Sequence, residues 1–138
     1  MILIDTSVWI EFLRTSKTPA ATALYSLIAD GADICLADVN LTEILRGVAD
    51  QTTYERVKQD LLRFPILAPR GVETHIKAAD IYRECRRQGH TIRNSQDCLI
   101  AAIAIENNVS VLHNDKDFER IASAMSTLRL SRPENFLA

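Results

Sequence analysis

A chain of 138 residues has the length of one ordinary domain, and 47% apolar with 25% charged residues is the balance of a globular fold with a real core. Four Gly and four Pro exclude collagen-like and low-complexity chains. The longest apolar run, Cys98–Ile105, falls far short of the ~20 residues a membrane helix needs. The formal charge is −2, from 16 basic and 18 acidic residues, and by itself argues neither for nor against a nucleic-acid partner.

In chain order, Ile2–Asp5 reads as a first strand and Ser7–Arg14 as a short helix with Val8, Phe12 and Trp9 turned inward. The apolar start is broken at Asp5 and has no basic segment before it, so no secretory signal and a cytoplasmic location are expected. Thr18-Pro19 opens a helix to about Ala29, with Pro at its first position. Asp30-Gly31 is a turn signal, and Ile34–Ala37 follows as a second strand. Helices are expected from Asn40 to about Val48 and from Thr53 to about Phe64, then a short strand over Pro65–Leu67. Val72, Ile76, Ala79, Tyr82 and Cys85 mark one helical face, ended by Gly89. Ser95 is expected to cap a helix that is apolar almost all round and therefore buried. Val109–Leu112 reads as a strand, Phe118–Met125 as a helix and Leu128–Leu130 as a last strand.

Strands alternating with helices predict an α/β fold, a three-layer sandwich around a mostly parallel sheet of about five strands, with residues 1–138 as a single domain. Ligands in such sheets bind beyond the carboxyl ends of the strands. Asp5 lies at the end of the first strand, and Asp115 and Asp117 follow the strand ending at Leu112. Two further acids, Glu43 and Asp97, open helices. Taken singly, Glu43 fits a capping box with Asn40, and Asp97 fits a first-turn acid facing the helix dipole. The joint pattern demands more, because eight apolar residues follow Asp97 and a buried helix start holds a carboxylate only beside compensating positive charge.

Converging carboxylates raise one another's pKa unless a cation neutralises them, and oxygen donors without His or Cys select Mg²⁺ or Mn²⁺. The three cysteines, Cys35, Cys85 and Cys98, sit among apolar neighbours and read as core residues. His75, His90 and His113 lack zinc spacing. A hard divalent ion points to phosphodiester hydrolysis, with the Thr6 and Ser7 hydroxyls placed to orient water or phosphate. Asp38, at the end of the second strand, competes with Glu43 as a ligand on geometry alone.

Asp5-Thr6-Ser7 after an apolar strand, Glu43 in N-L-T-E-I, Asp97 in D-C-L-I-A-A and Asp115 in N-D-K-D-F resemble the PIN domain, above all the VapC ribonucleases of bacterial toxin–antitoxin pairs. The likeness covers the whole chain. It implies Asp5, Glu43, Asp97 and Asp115 as the catalytic acidic quartet, and it chooses Glu43 over Asp38. It also implies Mg²⁺ or Mn²⁺ as cofactor with Asp117 as a further candidate ligand, structured RNA (tRNA or rRNA) as substrate, dimerisation, and inhibition by a VapB-like antitoxin. One departure is His113, where many relatives carry Thr or Ser; packing at the strand end is its expected role.

Without Asp5, Glu43, Asp97, Asp115 and Asp117 the chain holds 13 acids against 16 basic residues, a net +3. Arg86, Arg87 and Arg93 precede the helix of Asp97 and, with Arg46, are the candidates for holding RNA phosphates, although such a stretch is often only a solvated face. The alternatives are a non-catalytic RNA- or protein-binding module on the same scaffold and an acidic-site phosphatase. The second lacks support because Ser7 stands where a D-x-D motif needs its second acid.

Overall fold

The computed structural model describes residues 1–137. Four short strands, β1 (Ile2–Ile4), β2 (Ile34–Ala37), β3 (Ile66–Leu67) and β4 (Ser110–Leu112), pair in parallel in the order β3-β2-β1-β4. The helices between them are α1 (Thr6–Leu13), α2 (Pro19–Ala29), α3 (Asp38–Leu45), α4 (Gln51–Leu61), α5 (Val72–Arg87), α6 (Ser95–Glu106) and α7 (Lys116–Ala124). A 3₁₀ turn, Pro133–Phe136, follows.

The sheet is buried on both faces, and the period-two alternation of its strands divides the core in two. Leu3, Cys35, Ala37 and Val111 face α5, α6 and α7, where Ile81, Ile100, Ile103, Phe118 and Ile121 pack on them. Ile4, Ile34, Leu36 and Leu112 face the other way, onto Val8, Trp9, Leu24, Ile44 and Leu61 of α1 to α4. The expected three layers are therefore present. Residues Asp97 to Ala104 of α6 are all buried, as an all-round apolar helix requires. All three cysteines are free and buried, and burial lifts the thiols of Cys35 and Cys98 to about 11 and about 12, so they are inert core residues.

Three expectations are corrected. The sheet has four strands among the described residues, not five. Leu130 meets Val111 through a single bridge, with Arg129 O and Ser131 N bonded to Val111, and Pro133 then lacks the N–H to extend the ladder. Helix α3 starts at Asp38, two residues before Asn40, because Asn40 Oδ1 accepts the Ala37 N–H from inside the first turn at 2.8 Å. The cap of α6 is Asn94, whose side chain accepts the Gln96 N–H, and not Ser95. Other boundaries shift by up to three residues, as in α4 (expected from Thr53 to about Phe64) and α7 (expected from Phe118), while α2 starts as expected at Pro19 behind Thr18, whose hydroxyl accepts the Ala21 N–H.

Candidate active site

The acids singled out from sequence lie just past the carboxyl ends of β1, β2 and β4 or in the first turn of α6, except Glu43, which stands in the second turn of α3. Asp5 leaves β1 and caps α1. Its Oδ2 accepts both the N–H and the hydroxyl of Ser7, at 3.0 and 2.6 Å, and the Ser7 hydroxyl in turn accepts the Asn114 N–H at 2.9 Å. That chain of bonds ties the end of β1 to the end of β4. Burial pushes the Asp5 carboxyl up to about 6, with the Glu43 charge adding to it and the Ser7 bonds opposing it.

Glu43 sits in α3 and accepts the Thr6 hydroxyl at 3.0 Å, and that hydroxyl accepts from Asn40 Nδ2 at 2.8 Å. Asn40 is fully buried, with its other amide atom on the Ala37 N–H. The Thr6 and Ser7 hydroxyls therefore orient carboxylates, whereas the sequence suggested water or phosphate. Asp38 accepts its neighbour's N–H, that of Val39, at 2.8 Å.

Asp97 is the centre of the arrangement. It is 5% exposed, and its Oδ2 is buried without a hydrogen-bond partner among the described residues. Burial, and after it the charges of Asp5, Asp115, Asp117 and Glu43, push its carboxyl up to about 8. Oxygens of Asp97, Asp115 and Asp117 all lie within 4.8 Å of one another. Asp115 caps α7 and accepts the Asp117 N–H at 2.9 Å. Asp117, in the first turn, is 1% exposed and has both oxygens on protein donors: Arg120 Nη1 at 2.7 Å and the Arg93 N–H at 3.1 Å. His113 packs its ring against Phe118, 5.4 Å between centroids.

An orphaned buried oxygen among carboxylates that raise one another's pKa fits a divalent cation, and an all-oxygen donor set fits the Mg²⁺ or Mn²⁺ class. The basic residues are arranged less closely. Arg46, Arg86, Arg87 and Arg93 are exposed; Arg87 lies on Glu84 one turn back, and Arg93 touches the site through its main chain. Four contributors escaped the sequence reading: Asn40, seen there only as a cap, Arg120, which holds Asp117, and Arg14 and Arg56, which line a cleft of about 350 Å³ beside Glu43. Only the Asp117–Arg120 spacing carried a local signal, since i,i+3 residues meet on a helix.

This parallel sheet with acids gathered at one edge is a nuclease type of α/β fold, and the comparisons agree. The family model "PIN domain" matches residues 2–124. Ribonuclease VapC11 of Mycobacterium tuberculosis is 38% identical over 123 residues, 88% of this chain and 92% of that one. Among solved structures, FitAB bound to the IR36 DNA fragment superposes with a TM-score of 0.75 at 25% identity, covering 96% of this chain and 95% of that one. VapBC2 from Rickettsia felis, bound to a DNA fragment from their promoter, gives 0.71 at 20% identity over 95% and 98%. The chain belongs to the PIN domain family, and within it to the VapC ribonucleases.

Proposed function

We propose that this protein is a metal-dependent endoribonuclease acting as the toxin of a toxin–antitoxin pair, restrained by a VapB-like antitoxin. The observation that carries the reading is Asp97: a buried carboxylate with an unpartnered oxygen, inside an acidic cluster, on a chain 38% identical to a VapC ribonuclease. Similar chains in solved structures are found in FitAB and VapBC pairs, which supports the antitoxin partner.

In this reading Asp5, Glu43, Asp97 and Asp115 hold Mg²⁺ or Mn²⁺, with Asp117 beside them. The bound ion supplies a Lewis acid for the phosphoryl oxygen and acidifies water. The protein's part is orientation. Ser7 fixes the Asp5 carboxylate and the Asn40–Thr6 pair fixes Glu43, while the oxygens already within 4.8 Å of one another are those of Asp97, Asp115 and Asp117. Burial of the cluster excludes bulk water and strengthens each charge interaction. Arg86, Arg87, Arg93 and Arg46 supply phosphate contacts, and structured RNA such as tRNA or rRNA is the substrate class. A homodimer is the assembly expected of the active protein.

The test is cleavage of purified tRNA and rRNA by the wild-type protein with Mg²⁺ or Mn²⁺, with excess EDTA, and with the Asp97→Asn variant. Cleavage at discrete sites is expected only in the first case, together with growth arrest on expression that a co-expressed antitoxin relieves. Undiminished cleavage by folded Asp97→Asn protein, or in EDTA, would overturn the reading.

A further inference from the structure

The stretch from the end of β4 to the start of α7 has to aim the Asp115 carboxylate. Asp115 is the N-cap of α7, with extended backbone at φ −141° and ψ 127°. The N–H of an N-cap residue lies outside the helical ladder and needs its own acceptor. Here a side chain two residues back provides it: Nδ1 of His113 accepts the Asp115 N–H at 3.1 Å. The Asp115 carboxylate accepts the Asp117 N–H in turn. Asp115 is thus held at its main chain by His113 and at its side chain by the helix it caps.

The imidazole is itself held on every side. Its side chain is 9% exposed and its ring packs on the fully buried Phe118. Nε2 lies 3.3 Å from the Glu119 carboxylate, and Glu119 is also paired with Arg132. Nδ1 faces a donor, so it presents its lone pair; Nε2 faces a carboxylate, so it carries the hydrogen. One neutral tautomer satisfies both contacts. Arg132 lies beyond residues 2–124 matched by the family model, so a C-terminal segment outside that match reaches back to the site through this ion pair.

We propose that His113 is a positioning residue: its Nδ1 fixes the Asp115 main chain, and so the Asp115 carboxylate in the acidic cluster, while Glu119 and Arg132 lock the ring in the required tautomer and orientation. The inference rests on the reading of that cluster as the metal site. A residue that only fills space is replaceable by Phe, whereas an acceptor at the Nδ1 position is not. Asn sets its Oδ1 near the place of Nδ1, and Gln sets its own amide near the place of Nε2, so the two amides separate the roles.

The experiment compares the full-length wild type with the His113→Asn, His113→Gln and His113→Phe variants. It measures Mn²⁺ affinity by calorimetry and exchange of the Asp115 amide hydrogen in metal-free protein. His113→Gln and His113→Phe are expected to weaken Mn²⁺ binding ~10-fold, as lost outer contacts to metal ligands do. Both variants should unmask the Asp115 amide, and His113→Asn should restore most of the affinity and protection. Should Phe fail to fold, Gln and the ring-nitrogen spectrum of the wild type decide, since the spectrum must show the Nε2–H tautomer. Wild-type affinity and protection in His113→Phe, or an Nδ1–H ring, would overturn the assignment. Wild-type protein that binds no Mn²⁺, yet has a protected Asp115 amide that the Gln variant loses, overturns the nuclease reading and upholds the hydrogen bond.

Discussion

At the scale of single residues, Asp97 is where electrostatics and folding oppose each other. A carboxyl raised from 3.8 to about 8 binds its proton more tightly in the folded chain than in the unfolded one. Between those values the native state therefore carries more protons, and stability falls as pH rises. Asp5, raised to about 6, adds to that fall over the lower part of the window. In EDTA the wild-type melting temperature should accordingly drop from pH 5 to pH 8.5. Asp97→Asn keeps the side chain's size, is neutral throughout, and can donate to its neighbouring carboxylates. It should melt higher than the wild type at pH 8, with a flatter profile, while losing cleavage. A wild-type profile that rises over this window would contradict the burial of an unneutralised cluster. The two late acids divide by their partners. Both Asp117 oxygens already accept from Arg120 and Arg93, whereas among the described residues Asp115 accepts from the Asp117 N–H alone. Asp115→Asn should thus cut cleavage at least ~10-fold more than Asp117→Asn, the scale of a lost metal-orienting contact. Equal losses in a cleavage assay would place both acids on the ion. The helix expected from Phe118 put Asp117 beside its start, but its anchoring by a main-chain N–H 24 residues away has no local signature.

At the scale of elements, signals carried by adjacent residues were readable and those made across the fold were not. Thr18-Pro19 marks the start of α2 because cap and N1 chemistry are local. The start of α3 was misplaced because Asn40 reads as a cap, while in the fold it reaches back to Ala37 and across to Thr6. Leu128–Leu130 has strand composition but only one bridge to Val111, and pairing is a property of the partner as much as of the segment. The packing of α5 on α6 shows the same limit. Glu106, at the end of α6, is 3% exposed at its side chain, yet its carboxyl is lowered. Burial alone would raise it; the Thr74 hydroxyl, at 2.8 and 3.0 Å, and Lys77, at 3.2 Å, prevail. The same hydroxyl accepts the Arg70 N–H. Thr74→Val keeps the shape and removes both bonds, so it should destabilise the protein by about 1–3 kcal/mol, the range for stranding buried polar groups. Urea unfolding measures this directly, and a change within error would mean that Lys77 alone holds Glu106.

At the scale of the whole molecule, the net charge of −2 conceals a division of labour. Five acids gather at one sheet edge, and the remainder of the chain is net +3, with Arg86, Arg87 and Arg93 between the end of α5 and the start of α6. Asp5, Asp97 and Asp115 stood out in the sequence at strand and helix ends, whereas Glu43 was preferred to Asp38 only through the family resemblance. The proposed phosphate-binding surface was legible only as a basic stretch, since sequence does not show which guanidinium groups are already paired. All three side chains are exposed, but Arg87 lies on Glu84 through both Nε and Nη2, whereas Arg86 and Arg93 have no ion pair among the described residues. An RNA phosphate must compete with Glu84 for Arg87 but not for the other two. Each phosphate contact releases counterions and steepens the salt dependence of binding, by about 0.7–0.9 in log–log slope. Replacing all three with Ala should therefore flatten the slope and weaken RNA binding while leaving Mn²⁺ affinity unchanged, because none of their side chains touches the acidic cluster. Among single variants, Arg86→Ala and Arg93→Ala should each flatten it by roughly one contact's worth, and Arg87→Ala by less. Filter binding of tRNA from 50 to 300 mM KCl in EDTA, where no cleavage is expected, gives these slopes (the salt range being roughly that over which such contacts are read). An unchanged slope in the triple variant would make the stretch a solvated face and move the RNA path to the cleft beside Glu43, where Arg14 and Arg56 are the remaining cations.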